Sequence, residues 1–323
     1  MLSKHQKALP ATEAFEIFQK GKDIREAVIL KFEGVDGCDV YNPSIPFKDA
    51  GKLLIAGRVE ERGGHSSKIH FFENKHGVYY PLPDYPIFDM EDPFLTYVDG
   101  TIVFGGVKVE WANGQPTGFK TVFYKGNCIK ELRPFAEGPT NMKDIRLCEL
   151  KDGRIAVFTR PRDFSKLQEW GSLARIGFTV IKSLDMLNPE SILDATLLEG
   201  HFTGFEWGGV NHAFLLKNGL IGVVGHRSWG SYTSIEVCDL HYYGMAFAIH
   251  PDTLETTESK IIISRDCFPE APAKLEGLKD VTFTAGIERN INGTATVYSG
   301  LSDAAIGRGV IPDPFLQWEN LKV

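Results

Sequence analysis

Hydrophobic residues along this chain fall in short runs, many β-branched or aromatic, punctuated by Asp-Gly and Asn-Gly pairs. Such runs read as strands and the pairs as tight hairpin turns. The clearest case is Glu91-Asp92-Pro93-Phe94-Leu95-Thr96-Tyr97-Val98, followed by the turn Asp99-Gly100 and the run Thr101-Ile102-Val103-Phe104-Gly105-Gly106. Pro93 cannot donate to a sheet ladder, so it marks a strand start and leaves Glu91 and Asp92 at the mouth, facing open space. One early stretch differs. Over residues 11–25, Ala14, Phe15, Ile17 and Phe18 share a helical face and Gly21 ends it, which predicts a short N-terminal helix inside a lead-in of residues 1–30.

The hairpin plan repeats. Tyr41-Asn42-Pro43 leads through Asp49-Ala50-Gly51 to Lys52–Glu60, and the Asp92 hairpin comes next. Lys143-Asp144-Ile145-Arg146 leads through Asp152-Gly153 to Ile155-Ala156-Val157-Phe158-Thr159-Arg160-Pro161. Glu206-Trp207-Gly208-Gly209-Val210-Asn211 leads through Asn218-Gly219 to Ile221–Arg227, which includes His226. Asp280–Gly286 leads through Asn292-Gly293 to Ala295–Asp303, which includes Tyr298. Five such units at roughly 50–75-residue spacing predict an all-β, five-bladed β-propeller, with residues 1–323 as one domain.

If the strand before each turn is innermost, its entrance opens on an axial funnel. Asn42, Asp92, Asp144, Asn211 and Asp280 would then ring one pocket. The return strands would bring Arg58, Arg160, His226, Tyr298 and Asp303 to the same end. Carboxylates beside cations and amides suit a carbohydrate site that also handles an anion. The plainer reading is that these polar groups only solvate blade edges, but all five units carry one at the same place.

Charge narrows the partners. A formal charge of −7 gives no global basic field for nucleic acid or an anionic membrane, so any anion needs a local cluster of cations. The five cysteines (Cys38, Cys128, Cys148, Cys238, Cys267) are scattered without a C-x-x-C pair and predict reduced thiols in a cytoplasmic protein. No apolar run has the length to span a bilayer, the N-terminus has no signal-peptide core, and no His, Cys and acid cluster has metal-ligand spacing. No cofactor is expected. The Leu-rich segment from Leu184 to Leu198 is a candidate oligomer contact or lid.

Six motifs in order give the chain a family resemblance. Asn42-Pro43, Arg58-Val59-Glu60, Glu91-Asp92-Pro93, Lys143-Asp144, Arg160-Pro161 and Tyr298-Ser299-Gly300-Leu301-Ser302-Asp303 span most of residues 40–308. The sequence resembles the five-bladed mannoside phosphorylases of glycoside hydrolase family 130. It is more similar to glycosyltransferase family 108, which includes β-1,2-mannosyltransferase/phosphorylases. The resemblance implies Asp92 as catalytic acid, with Asn42, Arg58 and Asp303 holding the mannosyl ring. It also implies Lys143, Arg160, His226 and Tyr298 as phosphate ligands, with Asp144 orienting the sugar or those cations; Glu206 joins the substrate-binding set. Inorganic phosphate would be a co-substrate. Family 130 commonly has Arg directly after Glu-Asp-Pro, where this chain has Phe94, so one contact is either absent or supplied from elsewhere.

Three readings follow. A hydrolase normally needs two carboxyl groups, and Asp280 or Glu206 would have to join Asp92. Inverting phosphorolysis needs only the acid, because phosphate is already an anion and needs positive charge to gather and aim it. A propeller that only binds sugar or protein is the third. The cation set Arg58, Lys143, Arg160 and His226 favours the phosphorylase, whose expected reaction is phosphorolysis of β-1,2-linked mannosides to α-mannose 1-phosphate and its reverse.

Overall fold

The computed structural model describes residues 1–64, 66–233 and 236–322, with residues 232, 233 and 236–238 described by backbone alone. Strand pairing divides the chain into five mainly antiparallel units, the fourth and fifth joined by a short parallel pairing of His241 and Tyr242 with Asp280 and Val281. The first is built on Asp39–Tyr41 and Phe47–Asp49, both paired to Lys52–Glu60, with Lys68–Lys75 and Val78–Pro81 outside them. The second runs Glu91–Val98, Thr101–Ala112, Gln115–Gly126 and Arg133–Glu137. The third runs Arg146–Glu149, Ile155–Thr159, Gly177–Ile181 and Thr196–Leu197. The fourth runs Trp207–Leu215, Ile221–Thr233, Glu236–Ile249 and Lys260–Ile263. The fifth has Asp280–Arg289, Thr294–Leu301 and Ala305–Pro312, and its fourth strand is Arg25–Ile29 from the N-terminus.

These units are the five blades of a closed propeller. Each blade is sandwiched between two others, so its strands are apolar on both faces and read as near-continuous hydrophobic runs. Alternation sends successive residues to different neighbours. Leu54 and Ala56 face the second blade while Ile55 and Val59 face the fifth. Val103 faces the third blade and Phe104 the first; Val223 faces the third and Val224 the fifth. The result is five core clusters, one between each adjacent pair of blades, and the fifth joins the last blade to the first. That closure leaves no long open sheet edge between blades.

The helix is Ala11–Gly21, ending at the expected glycine. It lies on the fourth blade, where Ala14, Phe15 and Phe18 pack with Trp229, Tyr243 and Ile261. Ile17, expected on the buried face, is 59% exposed. Cys38, Cys128, Cys148 and Cys267 are free thiols, and the Cys238 side chain lies outside the described residues. Among the described residues no helix is long and apolar enough to cross a membrane. The Leu184–Leu198 segment forms a short 3-10 turn, the helix Pro189–Leu193 and the edge strand Thr196–Leu197 on the outside of the third blade.

Candidate active site

One local device aims the polar residues at the axis. The first strands of blades two, four and five each carry a bulge, between Glu91 and Phe94, Val210 and His212, and Thr284 and Gly286. The extra residue bends the strand and turns a side chain out of the ladder. Asn42, Asp92 and Asp144 all have left-handed backbones, with φ of 42°, 50° and 61°. Asn and Asp tolerate that region better than other non-glycine residues, and strained backbones of this kind cluster at functional sites.

Asp92 is buried, and its Oδ1 accepts from Asn42 Nδ2 at 2.9 Å and from an Arg58 NH group at 3.2 Å. Lys143 Nζ stands 3.9 Å from the other oxygen. Burial disfavours ionisation of this carboxyl, but Arg58, then Lys143 and the Asn42 amide, outweigh it and hold Asp92 below the usual carboxylate range. Arg58 is heavily committed. It also donates to Glu60 at 3.0 Å, Glu91 at 3.0 Å and Ser67 at 2.8 Å, and Glu60 in turn accepts from Lys274 at 2.9 Å. Two carboxyls close by behave oppositely to Asp92. Burial raises Glu91 and Asp303 above their ordinary values despite the Arg58 charge near both.

A second centre forms around Asp144, which is fully buried. Its Oδ2 accepts from Arg160 at 2.6 Å and has His226 Nε2 at 3.8 Å, while Oδ1 lies 3.9 Å from Arg146. Burial opposes its charge, but Arg160 and the other cations hold it well below the usual range. Gly209 makes the crowding possible, because a Cβ there would sit 2.8 Å from Arg160 Cδ and 3.1 Å from Asp144 Cβ. Arg160 Nε and Asn211 Nδ2 are buried N–H groups without a hydrogen-bond partner among the described residues.

His226 joins this centre, but not as a cation. It is fully buried, and burial pushes its pKa down to about 3. Nδ1 donates to Asn211 Oδ1 at 2.7 Å, which leaves Nε2 as a lone-pair acceptor. The expected ring of four cations therefore loses His226.

Three other expected residues serve elsewhere. Glu206 holds the N-terminal helix: its carboxylate accepts from Ala11 N at 2.6 Å, Thr203 N at 3.0 Å and Arg227 Nε at 2.8 Å, and Arg227 also donates to Leu9 O. Tyr298 lies in the core between blades five and one and donates to Glu288 at 2.9 Å. Asp280 accepts from His241 Nδ1 at 2.7 Å and Tyr243 Oη at 3.0 Å, and His241 Nε2 meets Ser231 Oγ at 2.7 Å. That chain clasps the fourth blade's hairpin to the fifth blade. Ala285 occupies the position that Asp92 and Asn211 hold in their blades. Tyr298 pairs with Gly286, one step below the bulge, while Gly300 further up abuts Asn42.

Sequence reasoning missed Arg146 and Tyr242. Arg146 donates to Asn211 O at 2.9 Å, and its guanidinium stands 4.1 Å over the Phe94 ring. A guanidinium thus lies against Phe94, the residue that follows Glu91-Asp92-Pro93. Burial pushes Arg146 down to about 10. The Tyr242 ring stacks on His226 with centroids 5.6 Å apart, and its hydroxyl accepts from Trp207 Nε1 at 3.1 Å. The Glu-Asp-Pro departure pointed to the first; nothing marked the second.

Buried neutral histidines make the fold acid-sensitive. His201, His212 and His226 titrate near 6.5 when unfolded, but burial lowers them to about 3, about 4 and about 3. The unfolded chain therefore binds more protons in that window, and stability falls as pH drops below 6.5. Three protons give a limiting slope of about 4 kcal/mol per pH unit. Glu91 and Asp303 reduce it, because raised carboxyls protonate first in the folded chain. Urea midpoints should fall from neutral pH towards about pH 5; a flat or rising series contradicts neutral burial.

Residues 16–317 match the family described as "Protein of unknown function (DUF1861)". No curated protein matches the sequence. A mannose phosphorylase from Leishmania mexicana, solved with phosphate ion, is similar at 34% identity and TM-score 0.88 over 96% of this chain and 95% of that one. A GDP-Man-dependent mannosyltransferase from the same organism is similar at 36% identity and TM-score 0.86 over 95% of each chain. The β-1,2-mannobiose phosphorylase of Listeria innocua, at 16% identity and TM-score 0.61 over 88% of this chain and 93% of that one, shares the fold.

Proposed function

The chain belongs to the DUF1861 family, and on that premise we propose that it is an inverting mannoside phosphorylase. Phosphate displaces the leaving hydroxyl of a β-1,2-linked mannoside and gives α-mannose 1-phosphate; the reverse reaction extends a mannose acceptor. The observation that carries this reading is the pair of buried N–H groups without a hydrogen-bond partner among the described residues, Arg160 Nε and Asn211 Nδ2, gathered with Lys143 and Arg146 around the Asp144 centre. They can donate to anion oxygens, while His226 Nε2 can accept from a protonated phosphate oxygen or a sugar hydroxyl.

Asp92 stands at the edge of this cluster, where it delivers a proton to the departing oxygen or removes one from an incoming hydroxyl. With Arg58 and Lys143 beside it the carboxyl rests ionised, the form required of a base in the synthetic direction. Bound phosphate sets negative charge against Lys143 and raises the Asp92 pKa towards the form required of an acid. Asn42 and Asp303, at the same end of the funnel, hold the mannosyl ring. The hydrolase reading loses both nominated second acids, since Glu206 anchors the helix and Asp280 binds His241 and Tyr243. A second reading, transfer from a sugar nucleotide, is favoured by the 36% identity to a GDP-Man-dependent enzyme.

Arg160→Ala tests the anion centre. The KM for phosphate should rise at least about tenfold, as expected for losing a charge-assisted contact, with a much smaller rise for the mannoside. Equal weakening of both would make Arg160 a structural partner of Asp144 and nothing more.

A further inference from the structure

The clasp between the fourth and fifth blades has an arrangement that stapling two sheets does not call for. Ser231 Oγ lies 2.7 Å from His241 Nε2, and His241 Nδ1 lies 2.7 Å from Asp280 Oδ2. A hydroxyl, an imidazole and a carboxylate thus stand in line, each within hydrogen-bond reach of the next. That is the geometric signature of an activated serine nucleophile, its base and the group that orients the base. The mannoside reading uses none of the three.

The strands explain the placement. In the hairpin ladder Trp229 pairs with His241 and Ser231 with Asp239, so all four share one face and Ser231 meets His241 on the diagonal. The short parallel pairing sets Asp280 beside His241. Trp229 stacks on the imidazole with centroids 4.7 Å apart and planes 16° apart, which fixes the ring. Tyr243 Oη donates to the same Asp280 oxygen at 3.0 Å, which fixes the carboxylate. Because Asp280 accepts from Nδ1–H, the Nε2 lone pair is left facing the Ser231 hydroxyl. Ser231 is exposed, and the ladder breaks beside it, where Cys238 has no cross-strand partner between Val237 and Asp239. Bulges recur next to active sites, and a backbone N–H freed from a ladder is the kind of donor an oxyanion needs.

We propose that Ser231, His241 and Asp280 form a second catalytic centre, which hydrolyses small neutral carboxylic esters through an acyl-serine. Ser231 Oγ bonds to the carbonyl carbon as its proton passes to His241 Nε2. The bond from that carbon to the alcohol oxygen then breaks, and the alcohol leaves with the proton from Nε2. Water, giving a proton to the same nitrogen, attacks the acyl carbon, and the acid departs as Ser231 regains its proton. The sum is ester plus water to acid plus alcohol. Charge and exposure select the substrate. The exposed Asp239 across from Ser231, with Asp280 behind His241, disfavours an anionic acyl group. A long acyl chain on the exposed Ser231 would stay in water, so a short one fits better.

Labelling of the full chain with a fluorophosphonate tests for the nucleophile, since an activated serine displaces fluoride from phosphorus. Mass mapping should place the label on Ser231, and His241→Gln should slow labelling by about 10²–10⁴-fold. Ser231→Ala should remove the label and most of the release of p-nitrophenol from p-nitrophenyl acetate. Its exposed position keeps this variant folded even if His241→Gln loosens the clasp, which a thermal melt reads. An unlabelled Ser231, or labelling at an equal rate in His241→Gln, reduces the three residues to a staple and overturns the proposal. Ester hydrolysis indifferent to Ser231→Ala overturns it as well. Neither readout involves a mannoside or phosphate, so the result is independent of the reading of the Asp92 site.

Discussion

Asp92→Asn should lower the proposed phosphorolysis by about 10²–10⁴-fold, the usual cost of removing a general acid or base, with little change in melting temperature. The fold should tolerate the change for reasons specific to this site. Asn is one of the few residues that accepts the left-handed backbone at position 92, where φ is 50°. Its amide oxygen can still accept from Asn42 Nδ2 in place of the carboxylate. Arg58 keeps Glu60 and Glu91, so no guanidinium is left buried and unpaired. Steady-state release of α-mannose 1-phosphate beside a thermal melt checks both halves. A variant with near-normal rate removes Asp92 from the chemistry, and a large loss of melting temperature would make its role structural.

The second large effect is the dependence on phosphate itself. Without phosphate, β-1,2-mannobiose should show negligible cleavage; with it, α-mannose 1-phosphate should appear. On the proposed reading phosphate would be held by several charge-assisted hydrogen bonds in line with the anomeric carbon, and such positioning contributes roughly 7–11 kcal/mol in favourable cases. Water gains little of this. The carboxylates nominated to activate it are tied up, Glu206 by Ala11, Thr203 and Arg227, Asp280 by His241 and Tyr243. A single displacement inverts the β-linkage, so the first product must be the α-anomer, which proton NMR of the anomeric region reads during early turnover. Free mannose released at the same rate without phosphate would promote a hydrolase.

The architecture was legible because tight turns announce themselves. Asp99-Gly100, Asp152-Gly153 and Asn218-Gly219 mark hairpins by composition, and five of these units at blade spacing leave few alternatives. Asn42, Asp92 and Asp144 were placed together by their positions before the hairpin turns, Arg58 and Arg160 by their places on the return strands, and Lys143 by the family resemblance. The fifth blade was misread because Asp280 was matched to Asp92 by residue type, whereas Ala285 stands at the bulge position that Asp92 and Asn211 hold in their blades. Glu206 was misread because its partner, the helix N-terminus at Ala11, is 195 residues away. Tyr242 passed unnoticed because an inward polar tyrosine and a core tyrosine look alike in a strand. The neutral state of His226 follows first from burial, with Arg160, Lys143 and Arg146 adding to it against Asp144, and no local pattern of residues encodes that.

The order in which the ring closes has a consequence for how the protein is made. Arg25 pairs with Val310, so the strand that completes the last blade is synthesised long before its partner. At cellular elongation rates that edge waits on the order of tens of seconds, a long time for an unpaired strand to stay out of trouble. The Glu206 and Arg227 contacts shorten the danger. Once the fourth blade has emerged they can seize Ala11 and Leu9, which holds the waiting strand beside the place where residues 305–312 will arrive. If those contacts hold the strand in this way, chains lacking residues 1–21 should yield more aggregate than folded protein.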